Sequence, residues 1–90
     1  MSIEIHLPSV LRDICGDAKL SLSAETVRAA LEQIERSHPA LYRNVCDETG
    51  RVRRHVNVFV NSDNVRDGAG LDTPLAPGDI VTFLPAVSGG

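Results

Sequence analysis

Apolar and polar side chains alternate from the first residues of the chain, with Ile3, Ile5 and Leu7 separated by Glu4 and His6. A period of two is the pattern of a half-buried strand, and Pro8, which has no N–H to give to a ladder, ends it. Val10, Leu11 and Ile14 fit a short turn of helix, Gly16-Asp17 fits a turn, and Ala18-Lys19-Leu20-Ser21-Leu22 alternates again. The first two strands therefore read as a hairpin with a long connection. Ser23 or Thr26 can cap the helix that follows. With Val27 at zero on a wheel of about 100° per residue, Ala30, Leu31 and Ile34 fall within an arc of roughly 100°, and Arg28, Glu32, Glu35 and Arg36 lie outside it. Pro39 ends this helix by pushing His38 out of the helical region, and Leu41, Tyr42 and Val45 form a second short turn. His38 lies on the apolar side, where it is expected to pack and to hydrogen-bond the last carbonyls of the helix.

The second half returns to period two. Val56, Val58 and Val60 share one face, and Asn57 and Phe59 share the other. Asn61-Ser62-Asp63-Asn64 reads as a turn with a brief return from Val65, and Pro77-Gly78-Asp79 turns into a last strand, Ile80-Val81-Thr82-Phe83-Leu84. If the valines, Val81 and Phe83 point at the helix, alternation puts Asn57, Phe59, Thr82 and Leu84 on the opposite, wetted face. Two strands, a helix, then more strands is an α+β arrangement: a mixed sheet of four to five strands packed on one main helix, the order of the ubiquitin-like β-grasp.

Composition narrows the function. A chain of 90 residues is one domain with a single modest core, too small for a deep catalytic cleft of its own. With 42% hydrophobic and 23% charged residues it has the make-up of a globular protein, no run long enough to span a membrane, and no signal-peptide pattern, so a cytoplasmic location is expected. A net charge of -3 argues against general nucleic-acid binding, which needs clustered cations to neutralise phosphates. Arg51, Arg53 and Arg54 form the one basic cluster in the sequence, either a solvated edge or a docking contact for an acidic partner. Cys15 and Cys46 lack the spacing and the paired histidines of a metal site and read as reduced packing residues. Nothing in the spacing of His6, His38 and His55 places a base beside either thiol.

The chain closes on Pro85-Ala86-Val87-Ser88-Gly89-Gly90. Two consecutive glycines are the thinnest backbone available, able to enter a channel that excludes side chains. The stretch Val56–Asn61, then Leu71-Asp72-Thr73-Pro74-Leu75, and above all Pro77-Gly78-Asp79, an apolar strand, Pro85 and Gly89-Gly90 resemble the ubiquitin-like sulfur carriers. That family includes the small subunit of molybdopterin synthase, the thiamine-biosynthesis carrier and the carrier of an alternative cysteine pathway. Leu84-Pro85-Ala86-Val87 resembles the cysteine branch more than the molybdopterin branch, whose members more often carry a second proline at the position of Ala86.

The resemblance implies a β-grasp domain over residues 1–84 and a flexible reactive tail over 85–90, with Gly90 as the reacting residue and Gly89 beside it. It implies a protein that is not itself an enzyme and binds no cofactor or metal. A partner enzyme would use ATP to adenylate Gly90, and a persulfide or sulfide donor would replace the adenylate to leave a thiocarboxylate. A biosynthetic enzyme would then accept the sulfur. Phe59, Leu84, Pro85, Ala86, Val87 and Ser88 are the residues expected to meet these partners. Six residues reach up to about 20 Å when extended, enough to enter a buried site, with Pro85 stiffening the root of the tail. Two other readings use the same residues: a modifier joined through Gly90 to lysines of other proteins, and a binding module whose tail is inert.

Overall fold

The computed structural model describes residues 2–85. The elements in chain order are β1 (Ile3–His6), α1 (Ser9–Cys15), β2 (Lys19–Leu22), α2 (Val27–Ser37), α3 (Pro39–Val45), β3 (Val56–Val60), β4 (Asp63–Asn64) and β5 (Ile80–Pro85). Two 3-10 turns, Val65–Asp67 and Gly70–Asp72, lie between β4 and β5. The strand order is β2-β1-β5-β3-β4. β1 runs antiparallel to β2 and parallel to β5, while β3 is antiparallel to both β5 and β4. The last strand therefore occupies the middle of a mixed sheet.

Burial follows the alternation. Ile3 and Ile5 of β1, Val56, Val58 and Val60 of β3, and Val81 and Phe83 of β5 are buried against Val27, Ala30, Leu31 and Ile34 of α2 and Leu41 and Val45 of α3. Each such side chain removed from water contributes roughly 1.5–3 kcal/mol, so this one layer contact is the main source of stability. Of the two candidate caps, Thr26 starts α2: its Oγ1 accepts a hydrogen bond from the Ala29 N–H at 3.1 Å. Pro39 ends α2 and also opens α3, where its missing N–H costs nothing.

Three details differ from the sequence expectation. The His38 ring does not reach the last carbonyls of α2; its backbone N–H bonds the Ile34 carbonyl at 2.7 Å, and ring Nδ1 lies 2.8 Å from the Ser37 hydroxyl. The return strand after β3 is Asp63–Asn64, not a segment begun at Val65, which instead starts a 3-10 turn. The cause is Asn61, which takes a left-handed φ of 57°, a conformation asparagine tolerates, and lets the chain reverse within two residues. Finally, β5 continues one residue past Leu84, because Pro85 still pairs with Val56.

The turn into β5 is tied to that hairpin. The Asp79 carboxylate accepts from the Ala76 N–H at 2.8 Å and from Asn61 Nδ2 at 3.1 Å, and Asn61 Oδ1 in turn accepts from the Ile80 N–H at 3.1 Å. These donors, the Ala76 amide foremost, hold the Asp79 carboxyl below the usual carboxylate range. Gly78 adopts a φ of 88°, which a residue with a Cβ resists.

Candidate functional site at the root of the tail

β5 delivers the tail, so the site is built from what surrounds the end of that strand. Register puts Phe59 opposite Thr82, Asn57 opposite Leu84 and Val56 opposite Pro85. With the valines buried, Asn57, Phe59, Thr82 and Leu84 lie on the face away from the helices, as the alternation predicted. Leu84 is exposed, whereas Phe59 is half-buried, since Thr82 of β5 and Asn64 of β4 flank it in the same row. That row continues through His6 of β1 to Lys19 of β2. His6 Nε2 lies 3.0 Å from Glu4 Oε1, and this hydrogen bond is the main cause of a lowered Glu4 pKa. The open face is therefore polar at the β2 side, with Phe59, Leu84 and the half-buried Ile80 as its apolar residues.

A cation absent from the sequence reading stands beside them. Arg66, in the 3-10 turn after β4, donates from Nη2 to the carbonyls of Val56 at 2.8 Å and Arg53 at 2.9 Å. Its Nη1 donates to the Arg54 carbonyl and to Asn57 Oδ1, each at 3.4 Å. The guanidinium is thus fixed where β3 begins, across from Pro85. Of the predicted basic cluster, Arg53 is anchored through Nε to the Arg43 carbonyl at 2.8 Å, in the last turn of α3 where a cation is favourable. The Arg51 N–H donates to Asp47 Oδ1, and Arg54 is exposed. Arg66 is thus the cation held at the end of β5, clasping the backbone carbonyls of Arg53 and Arg54. Arg66 escaped notice because its partners are backbone carbonyls 10 and 13 residues away, which leave no trace in a local pattern.

The cysteines play no part in this constellation. Cys46 is buried, and burial, aided by the Asp47 carboxylate, pushes its thiol up to about 11. A protonated buried thiol is a packing residue and a poor nucleophile. Cys15 is half-buried against the core. Among the described residues no group of three His, Cys, Asp or Glu side chains is placed to hold a metal ion, and no helix is long and apolar enough to cross a membrane. Of the predicted site residues, Phe59, Leu84 and Pro85 are brought together on β3 and β5; Ala86, Val87, Ser88, Gly89 and Gly90 lie outside the described residues.

A mixed five-stranded sheet grasping one main helix defines a ubiquitin-like β-grasp protein. The chain belongs to the ThiS family, whose model matches residues 5–90, and so to the ubiquitin-like sulfur carriers. It is 37% identical over 93 aligned residues to the sulfur carrier protein CysO of Mycobacterium tuberculosis, covering 100% of both chains. Several solved structures are similar in fold. The CysO complex with BexX from Amycolatopsis orientalis matches with a TM-score of 0.86 at 30% identity, covering 98% of this chain and 99% of the other. SAMP1 from Haloferax volcanii matches with a TM-score of 0.83 at 31% identity over 100% of both chains.

Proposed function

We propose that this protein carries sulfur as a thiocarboxylate on Gly90 and delivers it to a biosynthetic enzyme. The observation that carries the reading is that the family match runs through Gly89-Gly90 on a chain whose central strand leads to that end. An activating enzyme joins the Gly90 carboxylate to AMP from ATP, releasing pyrophosphate. Hydrosulfide then attacks the acyl carbon, the C–S bond forms as the C–O bond to AMP breaks, and the product is the thiocarboxylate plus AMP. The domain contributes a rigid support, a docking face around Phe59 and Leu84, and a cation at Arg66. The tail of residues 85–90 contributes reach. The likeness to CysO, together with Leu84-Pro85-Ala86-Val87, favours an acceptor that builds a cysteine-type metabolite over one that builds molybdopterin.

Intact-mass measurement tests the reading. Incubated with activating enzyme, ATP and hydrosulfide, the protein gains the difference between a sulfur and an oxygen atom. No gain, or an equal gain in a variant lacking Gly90, overturns it.

A second reading has its own support, since the chain is 36% identical over 78 residues to small archaeal modifier protein 1 of Haloferax volcanii. A modifier would spend the same activated Gly90 on a lysine amine, forming an amide. The two uses differ in product: a carrier cycles between acid and thioacid, and a modifier leaves ladders of larger conjugates.

A further inference from the structure

Among the described residues three large apolar side chains are exposed: Val10 at 61%, Ile14 at 40% and Leu84. Leu84 belongs to the sheet face already described. Val10 and Ile14 do not. They sit on α1, on the helical side of the molecule, and with Leu11, Asn44, His55 and Val56 they line a groove of about 150 Å³. An apolar pocket of about that volume accepts a group the size of benzene. On a wheel of about 100° per residue Val10, Ile14 and Leu11 span an arc of about 100°, with Asp13 outside it, so the stripe is uninterrupted.

The position of the groove identifies what covers it. Val56 lines it, and Val56 is the residue paired with Pro85, where the tail leaves the sheet. Five residues follow Pro85, and fully extended they reach no more than about 18 Å. An enzyme that brings Gly90 into its active site must therefore press its surface against the root of the tail, and the groove lies at that root. Val10, Leu11, Ile14 and Val56 give the groove an apolar lining, with Asn44 and His55 as its polar edge, the make-up of a surface that takes an apolar side chain.

We infer that the Val10–Ile14 groove is a second docking surface for the activating enzyme, filled by a leucine or phenylalanine side chain. Together with Phe59 and Leu84 it lets the partner hold the root of the tail from both sides of the sheet. The inference rests on the carrier reading for the identity of the partner, but not on the sulfur chemistry.

The test is direct binding of the full-length protein to the purified adenylating enzyme of the same organism, by titration calorimetry without ATP. Val10→Asp is expected to weaken binding about tenfold or more, the loss typical of an interface anchor, with Val10→Leu close to wild type. Val10 is exposed, and an aspartate near the start of a helix is favourable, so Val10→Asp should keep its thermal midpoint; Ile14→Ser provides an independent second probe. Unchanged affinity in both Val10→Asp and Ile14→Ser, or no binding of the wild-type protein, overturns the inference. Self-association in the ultracentrifuge that Val10→Asp abolishes would overturn it in favour of a second copy as the occupant. Binding that depends on Val10 without any mass change would instead remove the sulfur chemistry and leave the groove standing.

Discussion

Phe83 and Leu84 are consecutive residues of β5 that meet opposite environments: Phe83 has 0% of its surface exposed and Leu84 has 42%. Substitution should separate them sharply. Phe83→Ala leaves a cavity under α2 and is expected to cost about 3–5 kcal/mol in chemical denaturation. Leu84→Ser should change stability by no more than about 0.5 kcal/mol while weakening partner binding by about 1–2 kcal/mol.

Phe59 lies between these extremes, flanked in its row by Thr82 and Asn64. Phe59→Ser should cost about 1 kcal/mol of stability, because the ring is half-buried, and about 1–2 kcal/mol of affinity for the activating enzyme. Denaturation and binding titrations of the one variant check both figures; loss of the fold would mean the ring supports the domain more than the interface.

Removing Gly89 and Gly90 should leave the thermal midpoint unchanged and abolish activation. The buried core among the described residues is built from residues between Ile3 and Phe83, and terminal residues ordinarily add little to stability. A calorimetric scan paired with the intact-mass assay reads both halves.

Much of this was legible in the chain because burial imposes a period. Val56, Val58 and Val60 could be assigned to one face, and Val27, Ala30, Leu31 and Ile34 to one helix stripe, from spacing alone. What escaped depends on backbone geometry or on distant partners. The left-handed φ of Asn61 moved the return strand to Asp63–Asn64, and no residue pattern announces which turn asparagine will adopt that φ. The guanidinium of Arg66 is placed by carbonyls of Arg53 and Val56, and carbonyls carry no residue identity. Val10 and Ile14 were visible as apolar, but their exposure beside His55 and Val56 follows from how α1 sits on the end of β3.

Acid should act through Asp79. Its carboxyl is held below the ordinary value of 3.8 by the Ala76 N–H and the Asn61 amide, so the ionised form is favoured by folding. That contribution is complete above pH 3.8 and is lost as the pH falls below it through the folded value. Asp79→Asn should therefore be less stable than wild type near neutrality, and the two melting curves should converge in strong acid. A constant gap across the acid range would assign the effect to shape instead of charge.

Alkali should act through Cys46, whose thiol is pushed up from 9.0 to about 11. Folding favours its neutral form, so the associated stability is intact below pH 9.0 and declines as the pH rises toward 11. Iodoacetamide at mildly alkaline pH should label Cys15 in the native protein and reach Cys46 only after unfolding, as peptide mapping can show.

β5 sits between β1 and β3, and under the proposed function, in which a partner would grip the protein by its end, this has a mechanical meaning. A partner that draws the residues beyond Pro85 into its own interior pulls along the axis of β5. The load passes in shear to the ladders on both sides, a parallel one with β1 and an antiparallel one with β3, whose hydrogen bonds would have to break together. Had the same tail followed an edge strand such as β4, the pull could have peeled one ladder open bond by bond. With the central strand as its tether, a carrier working in the proposed way would be seized, emptied and let go many times without being unravelled.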